Sequence, residues 1–222
     1  MAKVRWRADE VRWLQARLAE TREKARPTTL AVVEKRRDPF RLLAACVISL
    51  RTKDAVTATA SARLFAVAPT PEALADLDEA RIAALIYPAG FYRTKARQLR
   101  AIATTLLERH GGRVPADRDA LLALPGVGRK TANLVLGLAF AIPAICVDTH
   151  VHRISNRLAM VTTKTPEQTE RALEGVLPEG LWIEINDLLV TFGQVVCHPT
   201  SPRCSSCPLA ARCPRRGVLR SR

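Results

Sequence analysis

The sequence lacks any apolar run of about 18 residues, the length that a membrane-spanning helix requires. Its first residues, MAKVRWR, also lack the apolar stretch of a signal peptide. Internal repeats and long low-complexity tracts are absent as well. These absences argue against membrane, secreted and repeat proteins, and we expect a soluble, cytoplasmic protein.

Acidic residues are in deficit, with 21 Asp and Glu against 35 Lys and Arg, a formal charge of +14. Such a chain is expected to bind a polyanion or an anionic surface. Most of the cations are arginine, which forms paired hydrogen bonds to phosphate and stacks on planar groups, so nucleic acid fits better than lipid. The 222 residues are 48% apolar, enough to bury a core, which argues against a disordered chain.

No segment shows a convincing alternation of apolar and polar residues, which is the pattern of a β-strand. Apolar residues instead recur at three- and four-residue steps, as is typical of amphipathic helices. Pro- and Gly-containing pairs separate these segments at short intervals. We therefore predict a compact all-α fold with helices over 8–25, 40–50, 55–67, 94–109, 128–140, 148–159, 167–177 and 181–196.

The helical pattern ends near residue 197, where four cysteines follow in the spacing C-x6-C-x2-C-x5-C: Cys197, Cys204, Cys207 and Cys213. A segment with so little apolar pattern needs a source of stability other than a hydrophobic core. Four thiolates in one short loop can surround a zinc ion or bind the irons of one [4Fe–4S] cluster. Zinc ribbons usually present two C-x2-C pairs, so the single short gap favours the cluster.

The cluster is open to a redox or a structural interpretation. His198, Arg203 and Arg212 lie among the ligands and favour a loop that the cluster holds in shape to meet phosphate, with Arg203 as a candidate DNA contact. Cys46 and Cys146 lie in apolar stretches and are predicted to be small buried hydrophobes.

The segment LLALPGVGRKTA, residues 121–132, reads as a helix end, a tight turn and a new helix start. Gly126 and Gly128 are predicted to adopt backbone conformations closed to other residues and to let a phosphate approach the amides. The next helix would offer this anion its N–H groups and dipole, with Arg129 beside them. This predicts a helix-hairpin-helix that binds the DNA backbone without reading bases; the alternative is an ordinary turn between helices.

Lys130 falls in the first turn of that second helix, where the helix dipole favours the neutral amine that a nucleophile requires. Such an amine can attack C1′ of a deoxyribose, displace the base and form a Schiff base, from which the 3′ phosphate leaves by β-elimination. A further phosphate contact is the alternative role.

Asp148 lies eighteen residues later, in VDTHVHR, at the start of another predicted helix. It can serve as an N-cap, or as a carboxylate that faces Lys130 across a cleft and stabilises positive charge on a sugar. The two roles are compatible. His150 and His152 lack a third ligand for a metal and are interpreted as DNA contacts or packing residues.

These three motifs, in this order, resemble the endonuclease III family of helix-hairpin-helix/Gly-Pro-Asp DNA glycosylases, over roughly residues 30–213. The resemblance implies a two-lobed, all-α fold. A central, barrel-like helical domain with the hairpin is expected over 32–142, and an iron–sulfur cluster domain over 1–31 plus 143–222.

The resemblance also implies an activity. We expect a monomeric, nucleoid-associated base-excision-repair enzyme that flips damaged pyrimidines out of duplex DNA, removes them and cuts abasic sites. Lys130 and Asp148 match the family's catalytic residues, and the four cysteines match its [4Fe–4S] ligands. A monofunctional mismatch or uracil glycosylase and a non-catalytic, cluster-bearing DNA-binding protein remain as alternatives.

Two candidate DNA-binding residues depart from the family pattern. The gap-filling loop commonly reads S-x-Q-x-T-D, whereas residues 49–54 read SLRTKD, so Arg51 replaces a glutamine. Phe91 stands where leucine is common, and an aromatic ring stacks well on exposed bases. Both remain candidate DNA-binding residues, but the lesion range and the opposite-base preference are left open.

Overall fold

The computed structural model describes residues 6–25, 27–34 and 38–222, and every regular element within these ranges is a helix. The predicted all-α fold is confirmed. Most of the basic start of the chain, residues 1–5, lies outside the described residues. No helix within the described ranges is both long and apolar enough to cross a membrane.

Each predicted helix is present, with ends that differ by three residues or fewer. The short helices α2, α5, α6 and α8 are additional. The helices are α1 (Ala8–Glu23), α2 (Thr29–Glu34), α3 (Pro39–Ser49), α4 (Asp54–Val67), α5 (Pro71–Ala75), α6 (Glu79–Ile86), α7 (Tyr92–His110), α8 (Arg118–Leu122), α9 (Arg129–Phe140), α10 (Thr149–Arg157), α11 (Pro166–Glu174) and α12 (Glu184–Val195).

Several helices begin at an Asp or Thr whose side chain accepts a backbone N–H from the first turn. Such an N-cap contributes about 1 kcal/mol to helix stability. In α3, α5 and α11 a proline follows the cap, where its fixed φ suits the helix start and its missing N–H costs nothing. The capping residues are Asp38, Thr70, Asp78, Asp117, Asp148 and Thr165.

The chain divides into two compact units, of which residues 28–142 form one, the continuous unit. Its core is built on α3, which is buried from Leu42 to Ile48 without interruption and packs against α4, α7 and α9. The unit begins slightly before the expected residue 32. Thr29 donates from its backbone N to Asp54 Oδ1 at 3.0 Å and from its hydroxyl to Asp54 O at 3.0 Å, which ties α2 to the start of α4.

Residues 1–27 and 143–222 form the other unit, the two-segment unit. In it α12 packs against α1 and α10, and α10 also packs against α11. Large apolar side chains fill its core, and burying each contributes roughly 2 kcal/mol. Leu209, from the cysteine-containing segment, is fully buried in this core beside Leu14, Leu18, Ile154 and Phe192.

Candidate functional site

The turn between α8 and α9 contains the predicted hairpin. Gly126 has a φ of +73°, which favours glycine, and a Cβ built there would lie 2.5 Å from Gln98 Nε2. Leu124 and Val127 are buried and fix the turn on the core, and Val127 N donates to Leu124 O at 3.1 Å. Two helices joined by this tight glycine turn confirm the predicted hairpin.

The expectation for the backbone of Gly128 is wrong. Its φ of −100° and ψ of 176° are extended values that any residue adopts. Among the described residues, no atom beyond its own chain neighbours would lie within 4 Å of a Cβ built there. Gly128 therefore needs no special backbone, and the space beside it at the start of α9 is open.

Arg129 and Lys130 are the first two residues of α9, the former exposed and the latter half-buried. Lys130 lies near Cys46 of α3: burial raises the pKa of the Cys46 thiol to about 12, and the positive charge of Lys130 opposes that rise. The first hydrogen bond within α9 runs from Ala132 N to Gly128 O at 2.9 Å. Lys130 thus belongs to the turn whose N–H groups carry the positive end of the helix dipole.

Asp148 is the N-cap of α10 in the two-segment unit. Its Oδ1 accepts from the backbone N–H groups of His150 and Val151, each at 2.8 Å. Both bonds use the same oxygen, and no bond to Oδ2 is found within the residues that the structure describes. The capping role is confirmed, and it leaves one carboxylate oxygen for other work.

The two histidines that follow take part in packing within the two-segment unit. His150 Nδ1 accepts from Arg153 Nη2 at 3.1 Å, and its ring lies so close to α12 that a Cβ at Gly193 would collide with it. His152 Nδ1 lies 2.6 Å from Thr169 Oγ1. The packing interpretation therefore fits both rings, and a DNA contact by His150 stays a prediction.

The structure brings Arg51 and Phe91 together. Arg51, between α3 and α4, has a φ of 51°, and Phe91, before α7, has a φ of 58°. This left-handed backbone is disfavoured by about 1 kcal/mol for residues other than glycine. The Arg51 guanidinium lies over the Phe91 ring, 5.6 Å from its centroid, and both side chains are exposed.

The four C-terminal cysteines are half-buried and line one cavity in the two-segment unit. Burial raises the pKa of Cys207 and of Cys213, and other thiols of the group raise both further. Four neighbouring thiols resist ionisation because their negative charges would repel one another. A metal centre supplies the positive charge that lets them become thiolates, so this donor set fits a metal group. Cys46 and Cys146, 1% and 2% exposed, are buried as predicted.

Arg157, the last residue of α10, is a structural residue that the sequence does not single out. It is 7% exposed and donates to Cys197 Sγ at 3.3 Å, His198 O at 2.7 Å and Pro199 O at 2.6 Å. The Cys213 thiol donates to the Arg157 carbonyl at 3.8 Å. Arg157 therefore holds both ends of the cysteine segment. The sequence gives no sign of this role, because arginines are mostly exposed and this chain contains many of them.

The basic side chains among the cysteines differ in their surroundings. Arg203 is exposed and lies at the edge of the cysteine cavity. Arg212 instead lies over the Trp13 ring, 5.0 Å from its centroid, with Glu10 at 4.0 Å. A phosphate contact by Arg203 stays a prediction.

An all-α fold with this hairpin defines a class of DNA repair protein: residues 44–179 match the model of the HhH-GPD superfamily base excision DNA repair proteins. Over 179 residues the chain is 51% identical to Endonuclease III of Thermotoga maritima, covering 81% of this chain and 84% of that protein. The chain belongs to the endonuclease III family, whose members are bifunctional DNA glycosylases and AP lyases.

Solved structures agree with this assignment. A non-covalent Endonuclease III–DNA complex superimposes with a TM-score of 0.84 at 35% identity, covering 95% of this chain and 96% of that one. A trapped Endonuclease III–DNA covalent intermediate gives 0.79 at 34% identity, with 92% and 95% covered. The prediction of a DNA-binding, base-excision-repair glycosylase with lyase activity is thereby confirmed.

Proposed function

We propose that this glycosylase removes oxidised pyrimidines from duplex DNA and cuts the strand at the abasic site, acting as a monomer on the DNA of the cytoplasmic nucleoid. The observation that carries the proposal is the position of Lys130, two residues after the open Gly128 at the start of α9. A phosphate bound by that helix start would bring the sugar of an extruded nucleotide to this amine.

The proposed chemistry begins at Lys130. After the Lys130 ammonium gives up a proton, the lone pair of its amine attacks C1′ and the N-glycosidic bond breaks. The base leaves with the bonding electrons and takes up a proton. Opening of the sugar ring gives a Schiff base between the lysine and C1′. Loss of a C2′ proton then breaks the C3′–O bond, and water hydrolyses the Schiff base to restore the lysine.

Asp148 is proposed as the acidic partner. Its Oδ1 is held by two backbone N–H groups, so the carboxylate has a fixed orientation. A fixed carboxylate stabilises the positive charge that develops on the sugar as the base departs, and it can relay a proton. The same cap thus serves folding and catalysis.

The remaining candidate residues are proposed to bind DNA. Amides at the start of α9, left open by Gly128 and positioned by the turn at Gly126, would meet a phosphate beside Arg129. His150 and Arg203 would add contacts to the backbone of the DNA. The adjacent Arg51 and Phe91 would fill the gap that the extruded nucleotide leaves.

We propose that Cys197, Cys204, Cys207 and Cys213 bind a [4Fe–4S] cluster. The four cysteines line a common cavity of the two-segment unit. Their spacing has a single C-x2-C pair, whereas zinc ribbons usually present two. When bound, the cluster would supply the cross-link that fixes this segment, with Arg157 holding its ends.

A borohydride trap tests the nucleophile. Wild type should form a covalent complex with a duplex that contains one thymine glycol, because borohydride reduces the Schiff base to a stable amine. Lys130→Ala should form none. Lys164→Ala, which removes an exposed lysine, is the matched control and should trap like wild type. Equal trapping by Lys130→Ala would refute the assignment.

The same oligonucleotide separates the rival functions when base release and strand cleavage are scored independently. Base release with strand cleavage supports the proposal, and base release without cleavage supports a monofunctional glycosylase. If no base is released and no strand is cut across a panel of oxidised, mismatched and abasic substrates, the result supports a non-catalytic DNA-binding protein. The panel also defines the lesion range.

A further inference from the structure

Lys95, in the first turn of α7, is a buried cation in the continuous unit. Its side chain is largely enclosed, with the residue 3% exposed, and burial lowers its pKa to about 8. Nζ donates to Ile48 O at 2.7 Å, Leu50 O at 2.5 Å and Thr52 Oγ1 at 2.8 Å. An ammonium has three N–H groups, and each has an acceptor here. Because burying a charge is costly, its presence calls for a reason beyond filling space.

The three acceptors bracket Arg51. Ile48 belongs to the last turn of α3, Leu50 precedes Arg51, and Thr52 follows it. Arg51 has the left-handed backbone that side chains other than glycine disfavour, so the surrounding structure must hold it there. The three hydrogen bonds from Lys95 provide that hold on both sides of the residue.

The hydrogen bonds of Lys95, which we call the anchor, also extend to a second loop, the one that contains Gly90 and Phe91 before α7. Thr52 Oγ1, while accepting from Lys95, also accepts from Gly90 N at 3.1 Å, and Gly90 precedes Phe91. A Cβ built on Gly90 would lie 2.5 Å from Arg51 O, so the two backbones pack directly against each other. Lys95 N in turn donates to Phe91 O at 3.0 Å. The Lys95 side chain is therefore bonded directly to the segment around Arg51, and it is linked through Thr52 to the segment before Phe91.

From these contacts we infer that Lys95 is a positioning residue, which holds Arg51 and Phe91 as one preformed wedge for insertion into DNA. The inference rests on the proposed function, because it assumes that these side chains fill the gap. The anchor holds the Arg51 guanidinium over the Phe91 ring while the Phe91 side chain stays 63% exposed. A wedge ordered before binding loses less conformational freedom when it enters the duplex.

Two substitutions weaken the anchor at different points. Thr52→Val removes the shared hydroxyl but keeps the shape of the side chain, and Thr52→Ser restores the hydroxyl. Lys95→Met removes the cation at similar length. Matched controls are Thr59→Val, an exposed threonine whose hydroxyl donates to Ala55 O within α4, and Lys164→Met, an exposed lysine. If Lys95→Met fails to fold, the threonine pair still decides the question.

The readout is the fluorescence of 2-aminopurine placed opposite a tetrahydrofuran abasic analogue, together with single-turnover base release from a thymine glycol duplex. Thr52→Val and Lys95→Met should reduce the fluorescence change and slow base release about tenfold or more, because the wedge is misplaced. Affinity for undamaged duplex should change less than about threefold, because phosphate contacts dominate it. Thr52→Ser and both controls should behave like wild type.

Wild-type fluorescence and rates in folded Thr52→Val would overturn the inference and leave Lys95 as a cap of α3. Arg51→Ala and Phe91→Ala test the wedge itself: if neither alters the fluorescence change, the inference fails although base release, and with it the proposed function, stands. A wild-type protein that releases no base would overturn both.

Discussion

Asp148 shows how one side chain can hold a helix and keep a charge available. Two N–H groups of α10 bind its Oδ1, and an asparagine could accept the same pair through its amide oxygen. The capping task needs an oxygen, whereas the proposed catalytic task needs a negative charge. The two tasks can therefore be separated by one substitution.

We predict that Asp148→Asn keeps the fold and loses the chemistry. Asparagine and aspartate are similar N-caps, so unfolding free energy should change by less than about 1 kcal/mol. Base release should slow by about 100-fold or more, because neither charge stabilisation nor proton relay remains. Thermal unfolding and single-turnover kinetics measure the two effects.

Asp148→Ala is the companion variant, and it should lose the cap as well as the charge. Its unfolding temperature should therefore fall below that of Asp148→Asn, while its base release is equally slow. An Asp148→Asn protein that releases base at the wild-type rate would rule out a role for the negative charge.

Among the predicted site residues, those identified by local sequence were the easiest to place. Gly126 has the special backbone and Asp148 the cap that their motifs predict. Lys95 could not be found in this way, because its burial depends on carbonyls more than forty residues earlier in the chain. For Gly128 the sequence predicted both an unusual backbone and open space; the unusual backbone is wrong, and the open space is present.

In the hairpin between α8 and α9, one glycine is needed for its positive φ and the other lies beside open space. Since α8 has only five residues, the turn depends on its buried flanks and on Gly126. We predict that Gly126→Ala destabilises the protein by about 1 kcal/mol or more, because alanine is disfavoured at positive φ. Gly128→Ala, at the N-cap of α9, should lower the unfolding temperature less than Gly126→Ala does, and it should weaken binding to undamaged duplex.

Thermal unfolding and fluorescence anisotropy with a lesion-free duplex check this pair. The variants serve as controls for each other, since they add the same methyl group two residues apart. Equal unfolding temperatures would show that the positive φ costs nothing, and unchanged affinity in Gly128→Ala would show that no anion approaches that open space.

Long helices were predicted more completely than short ones, and the reason is physical. The period of apolar residues needs several turns to be recognised, and α7 and α12 provide them. By contrast, α5 and α6 are short and are stabilised by the caps Thr70 and Asp78 and by packing on α7. Their stability comes from tertiary contacts that a local pattern does not contain.

At the scale of the whole molecule, the cysteine segment is attached to its unit in two ways. Leu209 is buried in the core that α1, α10 and α12 form, and Arg157 holds both ends of the segment. These attachments hold the segment at a few points only, and most of the other residues between the cysteines are polar or basic, with little apolar surface to bury. The stability of this segment should therefore depend on the group that the thiolates bind.

We predict that purified protein contains iron and sulfide and is yellow-brown, and that Cys207→Ser lowers both contents and the unfolding temperature. Ligand binding and folding are coupled in such segments, so losing one thiolate removes part of the folding free energy. Cys46→Ala is the matched control: it removes a buried thiol of α3, outside the ligand set, and should keep iron, sulfide and colour. Colourless protein with stoichiometric zinc would contradict the cluster, and unchanged iron in Cys207→Ser would remove that residue from the ligands.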